Sequence, residues 1–121
     1  TATWRIHDMG DNAKKALVDG LNGLLADHLA LYLKTKNFHW HVTGRDFRDL
    51  HLLFDEQATA IFANVDLIAE RVRKNAGATL TSIGSVAAKT KVADEDSTTL
   101  KPLRMVEILR DDNAALVQTL K

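Results

Sequence analysis

The chain has 121 residues, and its 16 Lys and Arg residues balance 16 Asp and Glu residues, so a neutral chain offers no bulk attraction for nucleic acid or anionic membrane. It has no cysteine, no membrane-length apolar run and no signal-peptide core, which excludes disulfides and thiolate metal sites and favours a cytoplasmic protein with no membrane partner. One proline and six glycines favour an all-α chain, read here as a single domain over residues 1–121.

The N-terminal segment shows no clear period, and Trp4, Ile6 and Met9 are expected either to pack on a neighbour or to lie in a loose arm. The first helix is predicted to begin near Asp11 or Asn12, which are both good N-cap residues. Apolar side chains then recur at helical spacing, namely Leu17, Leu21, Leu24, Leu25, Leu29 and Tyr32.

This first helix is predicted to end near residues 42–44, with Gly44 as its terminating glycine. Gly20 and Gly23 are costly inside a helix, and they indicate close approach of another backbone. The basic residues along this part of the chain are interpreted as solvated charges: Lys14, Lys15, Lys34, Lys36 and Arg45.

A second helix is predicted from about Asp46 to Asn75, with Gly77 ending it. One apolar stripe follows its length, made of Phe47, Leu50, Phe54, Ile61, Val65, Ile68 and Val72. Because the stripe is widened by Leu53, Phe62 and Leu67, we expect burial on more than one side, in a bundle core and in a subunit contact.

The rest of the chain is predicted to hold one short helix and one longer helix. The short helix lies within residues 80–91, and residues 94–99 form a polar loop. Pro102 suits the first turn of the last helix, whose apolar period continues to the end of the given sequence. Two long helices joined by a tight loop are expected to pack antiparallel.

The second helix carries two pairs of potential metal ligands. His51 and Asp55 are four residues apart, as are Asp66 and Glu70, so each pair shares one helix face. The two pairs lie about 16 Å apart along the axis, whereas a metal ion sits roughly 2 Å from each ligand. Either other parts of the chain complete two half-sites, or an antiparallel second copy joins the pairs about a two-fold axis near residues 60 and 61.

Each of these residues also has a plainer interpretation. A helical carboxylate is usually a solvated charge, and a histidine near a helix end, such as His39, usually caps or packs. Charges aligned among apolar residues are costly to bury without partners, so the shared face favours a metal site. We expect His41 and His28 not to bind the same ion, because one points elsewhere and the other lies too far along the helix.

Two stretches of the chain resemble signatures of the Dps proteins, which are also called mini-ferritins. The first signature is carried by His39-Trp40, Gly44, Leu50-His51 and Asp55. The second is Val65-Asp66-Leu67-Ile68-Ala69-Glu70-Arg71, and the interval between the two also agrees. The resemblance is specific over residues 38–71 and weaker over most of the remaining chain.

This resemblance implies a ferritin-like four-helix bundle, with a short helix between the second and third bundle helices, and two-fold dimers within a hollow twelve-subunit shell. It implies a ferroxidase that oxidises Fe(II), preferably with hydrogen peroxide, and stores the ferric mineral, which protects against oxidative damage. Iron is thus the implied metal, and the implied catalytic and metal-binding residues are His39, His51 and Asp55 from one subunit and Asp66 and Glu70 from its partner.

The chain also departs from the family pattern. The family usually has Asn where this chain has His41, and residues 72–77 follow the pattern loosely. Family members continue through a longer third bundle helix and a fourth helix, which largely build the iron-entry pore. By this comparison the third bundle helix is expected to be cut short in this chain and the fourth to be absent from it. A second chain is one source from which the missing segment would come.

Two other classes of function compete with iron oxidation. One is a nucleoid-associated protein that binds and condenses DNA, with a minor iron role. Residues 1–13 hold Arg5 as their one fixed positive charge, beside Asp8 and Asp11, so DNA binding is expected to be weak or absent. The other is a structural helical fragment in which the ligand stripe is vestigial.

Overall fold

The computed structural model describes the backbone of residues 2–120 and the side chains of residues 10–119. Its helices are α1 (Ala2–His41), α2 (Phe47–Lys74), α3 (Ile83–Lys89) and α4 (Pro102–Leu120). Between residues 2 and 120 there is no strand, which confirms the all-α prediction, including the short helix before the last one. None of the helices in this range is both long and apolar enough to cross a bilayer.

The two long helices, α1 and α2, form an antiparallel hairpin, as predicted. Contacts between them pair later residues of α1 with earlier residues of α2: His39 with His51, Lys36 with Asp55, and Tyr32 with Phe62. The chain reverses between His41 and Phe47, where Gly44 adopts a φ of 99° that favours glycine. The predicted end of the first helix is therefore correct to within a few residues.

The predicted start of the first helix is wrong, because α1 begins at Ala2 and passes through Asp11 and Asn12. Extending an existing helix costs far less than nucleating one, so a cap-type residue need not mark a boundary when its neighbours accept helical geometry. The expectation for the side chains of Trp4, Ile6 and Met9 lies outside the described side chains.

At the end of α2, the left-handed residue is Ala76, with a φ of 61°, one position before Gly77, which was predicted to end the helix. The Gly77 N–H donates to Val72 O, and the Ala76 N–H donates to Arg73 O, which is the Schellman pattern of helix termination. Glycine is needed at position 77 for a different reason: an added Cβ would lie 2.6 Å from the Val18 methyl carbons. This close contact joins the end of α2 to α1.

The connection between α2 and α4 runs along α1 and is held by polar side chains of that helix. In chain order, Asn22 donates to Ala78 O, Asp27 accepts from the Lys91 N–H, and Asn37 donates to Glu95 O. Later residues of the connection contact later residues of α1, so the connection runs parallel to α1, toward its C-terminus. The following helix, α4, therefore runs antiparallel to α1 and parallel to α2, as in a bundle with a long crossover.

The core lies where the three long helices meet. Its buried apolar residues are Leu31, Phe38 and Val42 of α1, Phe54 and Ile61 of α2, and Met105 and Leu109 of α4. Lys34, interpreted above as a solvated charge, is in fact buried: its ammonium pairs with Asp112 Oδ2 at 2.7 Å and donates to Ala93 O at 2.8 Å. One side chain thus links α1, the crossover and α4.

The second buried face expected for α2 is not buried within one protomer. Leu53, Phe62 and Leu67 are 41%, 52% and 63% exposed. The close approach expected at Gly20 and Gly23 is also absent among the described residues, since an added Cβ at either position would meet open space. The apolar surface of α2 outside the core is therefore available for contact with another chain.

Candidate metal centre

The antiparallel hairpin brings His39, near the end of α1, against His51, in the second turn of α2. The His39 Nδ1–H donates to His51 O at 2.6 Å, and the His51 Nδ1–H donates to His39 O at 2.7 Å. Their rings stack with centroids 3.9 Å apart and planes 21° apart. Because a carbonyl can only accept, the neutral form of each ring carries its lone pair on Nε2, the atom that is left to bind a metal ion.

Asp55 adds an oxygen ligand beside these two nitrogens. It lies one helical turn after His51, so both side chains project from the same side of α2. Its Oδ1 is 3.7 Å from His39 Nε2. The structure thus places Asp55 beside His39 of the histidine pair, and nitrogen and carboxylate donors are ligand types that suit a divalent transition metal.

The Asp55 carboxylate forms an ion pair with Lys36, which the sequence analysis interpreted as a solvated charge. Lys36 Nζ is 2.6 Å from Asp55 Oδ1. This hydrogen bond lowers the pKa of Asp55 from its ordinary value, against an opposing effect of desolvation, and it raises the pKa of the Lys36 ammonium. The sequence did hold a signal for this contact: Lys36 precedes His39 by three residues and therefore lies on the same helix face as that candidate ligand.

The remaining two candidates, Asp66 and Glu70, are exposed and lie further along α2. Their separation from His51 and Asp55 is the helix length estimated above, so one protomer does not bring the two pairs together. Within the described side chains, no group of three or more His, Asp and Glu residues is placed to hold a metal ion. Completing the site with Asp66 and Glu70 therefore stays a prediction.

The two other histidines of α1 with described side chains are engaged with their own helix. The His41 ring bonds to Asn37 O and the buried His28 ring bonds to Leu24 O, each at 2.8 Å. Neither belongs to the stacked pair formed by His39 and His51. Sequence reasoning also missed a neighbour of that pair: the Phe47 ring stacks on His51 with centroids 5.1 Å apart.

We expect Lys36→Met to strengthen binding of a divalent cation at Asp55 about fivefold. The ammonium must leave Asp55 when a cation arrives, and an exposed ion pair opposes this only weakly, by a factor of about five at most. Calorimetric titration of the full chain with Co²⁺ measures the change, and Lys14→Met, on an exposed part of α1, is the matched control. Unchanged or weaker binding would show that Lys36 does not compete with the metal.

Comparison with known proteins gives one consistent result. The sequence matches the ferritin-like domain family over residues 18–121. It is 32% identical to a low temperature-induced protein of Nostoc over 92% of this chain, and 35% identical to DNA protection during starvation protein 1 of Deinococcus radiodurans over 94% of it. The matches span only 62% and 52% of those relatives' own lengths.

Solved structures agree with the sequence comparison. Dps from Thermosynechococcus elongatus superposes with a TM-score of 0.87 at 27% identity, over 92% of this chain and 70% of that one. The antigen TpF1 from Treponema pallidum superposes with a TM-score of 0.86 at 26% identity, over 89% of this chain and 69% of that one. The helices that position the histidine pair thus have close counterparts in both structures.

Proposed function

Because the chain belongs to the ferritin-like family, and within it to the Dps or mini-ferritin group, we propose that it is a ferroxidase that binds and stores iron. Fe(II) is the substrate, and the site is shared by two subunits. His39, His51 and Asp55 come from one subunit, and Asp66 and Glu70 come from the other. Removing Fe(II) and an oxidant together would protect the cell against oxidative damage.

The observation that carries this proposal is the division of the ligands into two separate groups on α2. His51 and Asp55 are separated from Asp66 and Glu70 by about 16 Å along the same helix. An antiparallel copy of the helix would bring each pair next to the complementary pair of the other copy. Leu52 and Leu67 are 50% and 63% exposed and lie on opposite sides of the proposed axis along α2. Such exposed leucines favour a contact between copies over a solvated face.

The chemistry required of this site is electron transfer from iron to an oxidant. In the proposed reaction, two Fe(II) ions each lose one electron, one hydrogen peroxide molecule takes both electrons and two protons, and its O–O bond breaks to give two waters. The histidine Nε2 atoms and the carboxylates would hold iron with positions left open for the oxidant. The reciprocal His39–His51 bonds hold the Nδ1 atom of each ring and leave each Nε2 atom free for iron.

The proposal extends to assembly and location. We expect two-fold dimers within a twelve-subunit shell, a single ferritin-like domain and a cytoplasmic protein. A closed shell of twelve subunits would enclose the ferric mineral. The mass of the native particle measures whether twelve subunits assemble. The given chain spans 62% and 52% of the lengths of the two relatives named above, so assembly and location are proposals for the whole protein.

Rapid oxidation of Fe(II) by hydrogen peroxide tests the proposed activity, followed by the absorbance of the ferric product. We expect His51→Ala to slow the reaction by at least about 10–100-fold, the loss typical even of residues that only support a metal ligand. The matched control is His41→Ala, since that half-buried histidine bonds to Asn37 O outside the pair. If the unaltered protein did not oxidise Fe(II) faster than buffer, the ligand stripe would be vestigial.

DNA condensation is less well supported. The chain has zero formal net charge, and the described part of its N-terminal region mixes Lys14 and Lys15 with Asp11 and Asp19. Phosphate binding needs an excess of positive charge along one surface. A shift of duplex DNA that persists at physiological salt would favour the nucleoid alternative.

A further inference from the structure

Three aromatic rings form a column at the start of α2. The Phe47 ring lies over His51 with centroids 5.1 Å apart and planes 27° apart, and His51 in turn lies over His39 at 3.9 Å and 21°. Phe47 is the first residue of α2 and precedes His51 by one turn, so helix geometry places its ring beside the imidazole. Phe47 thus adds a second stacked ring to His51, besides that of His39.

This second stacked contact restrains a motion that the hydrogen bonds leave free. The bond from His51 Nδ1 to His39 O fixes one ring atom, but the terminal torsion of a histidine is broad, and the ring can still tilt about that bond. The rings of His39 and Phe47 both stack on the imidazole, with planes within 27° of its own, and each limits this tilt. Two stacked neighbours thus restrain the plane of the ring, and hence the direction of its Nε2 lone pair.

We propose that Phe47 is a positioning residue of the metal site, which holds the His51 imidazole in the orientation that binds the ion. The inference rests on the proposed function, because it takes His51 as an iron ligand. Phe47 is 43% exposed and lies outside the buried core cluster, so its burial explains little of the fold's stability. The contact that its flat ring does make is the stacking on the His51 imidazole, which restrains the orientation of the imidazole.

The test compares side chains with and without a flat ring at position 47. Phe47→Leu and Phe47→Met keep the apolar character and lose the ring, whereas Phe47→Tyr keeps it. In the full chain we expect the first two to bind Co²⁺ about 10-fold more weakly and the third within about twofold of the unaltered protein, since residues that orient a ligand typically contribute 10–100-fold. In the metal-free protein, ¹⁵N NMR should show the His51 ring signals broadened by exchange in the first two only.

A merely structural role makes a different prediction, and Leu17→Ala supplies the control. Leu17 is a half-exposed apolar residue of α1 that lies 22 positions before His39, far along the helix from the histidine pair. Its replacement should leave Co²⁺ affinity and the His51 signals within about twofold of the unaltered protein. Particle mass and thermal melting verify that each variant folds and assembles. If only one of Phe47→Leu and Phe47→Met assembles, that variant alone is enough for the test.

Two results can be told apart. If Phe47→Leu or Phe47→Met assembles and binds Co²⁺ as tightly as the unaltered protein, with sharp His51 signals, Phe47 does not position the ligand, and the proposed ferroxidase is unaffected. If the unaltered protein itself neither binds Co²⁺ through His51 nor oxidises Fe(II), the proposed function fails instead.

Discussion

Mixing two inactive variants of the full chain is expected to restore about a quarter of the iron-oxidising sites. One variant carries His39→Ala and His51→Ala, and the other carries Asp66→Ala and Glu70→Ala. Each alone should lose fast Fe(II) oxidation, because every one of its sites lacks one group of ligands. The physical reason is the separation of about 16 Å along α2 between the two groups, against ligand bonds of about 2 Å.

The expected recovery follows from counting. Random pairing after unfolding and joint reassembly makes half of the dimers mixed. In a mixed dimer, the intact histidines of one chain meet the intact carboxylates of the other at one of the two sites, while the second site has lost both groups. Initial rates of Fe(II) oxidation at equal protein concentration give the recovered fraction.

Two controls make this result decisive. Each variant is taken alone through the same unfolding and reassembly, and native mass spectrometry verifies that mixed dimers form. If the ligands of one ion all came from one chain, mixing would restore nothing. An inactive mixture that contains mixed dimers in the expected proportion would therefore contradict the shared site.

Replacing Lys34 with Met is expected to lower the free energy of unfolding by about 3 kcal/mol. Lys34 is 8% exposed, and its ammonium pairs with Asp112 and donates to Ala93 O. The substitution leaves the Asp112 carboxylate, whose side chain is 19% exposed, without its counter-charge in a poorly solvated place. Urea unfolding at one fixed protein concentration measures the loss, since the stability of an oligomer depends on concentration.

The same substitution at Lys36 is the matched control, because Lys36 forms an ion pair in a more exposed setting, with Asp55. Exposed ion pairs contribute little to stability, so Lys36→Met should lower the free energy of unfolding much less than Lys34→Met does. Adding Asp112→Leu to Lys34→Met should recover much of the loss, since the stranded charge is removed. Equal effects of the two single lysine substitutions would show that Lys34 is not held in a buried network.

Much of the fold follows from local properties of the sequence. The apolar period predicts both long helices, and the last helix begins at Pro102, as predicted from the fixed φ of proline. Gly44 ends the first helical region because the reversal needs a positive φ. These features depend on neighbours within one or two turns, which is the range over which helical hydrogen bonds and backbone sterics act.

The spacing of the candidate ligands is also local, but their partners are not. His51 and Asp55 share a helix face by geometry alone, as do Asp66 and Glu70. That His39 stacks on His51 depends on how α1 and α2 are rotated against each other. The ion pair of Lys36 with Asp55 depends on the same rotation.

The least predictable residues are those whose role comes from distant contacts. Lys34 resembles any solvated lysine in the sequence, yet it is buried because the crossover and α4 close over it with Ala93 O and Asp112. Gly77 was predicted to end the second helix, but Ala76 takes the left-handed conformation there, and glycine is needed at position 77 because an added Cβ would clash with Val18. The sequence by itself thus determined the helices and the ligand-bearing face of α2. Tertiary packing between residues far apart in the chain decided which charges are buried and how the histidines are oriented, because those outcomes depend on contacts that no local spacing encodes.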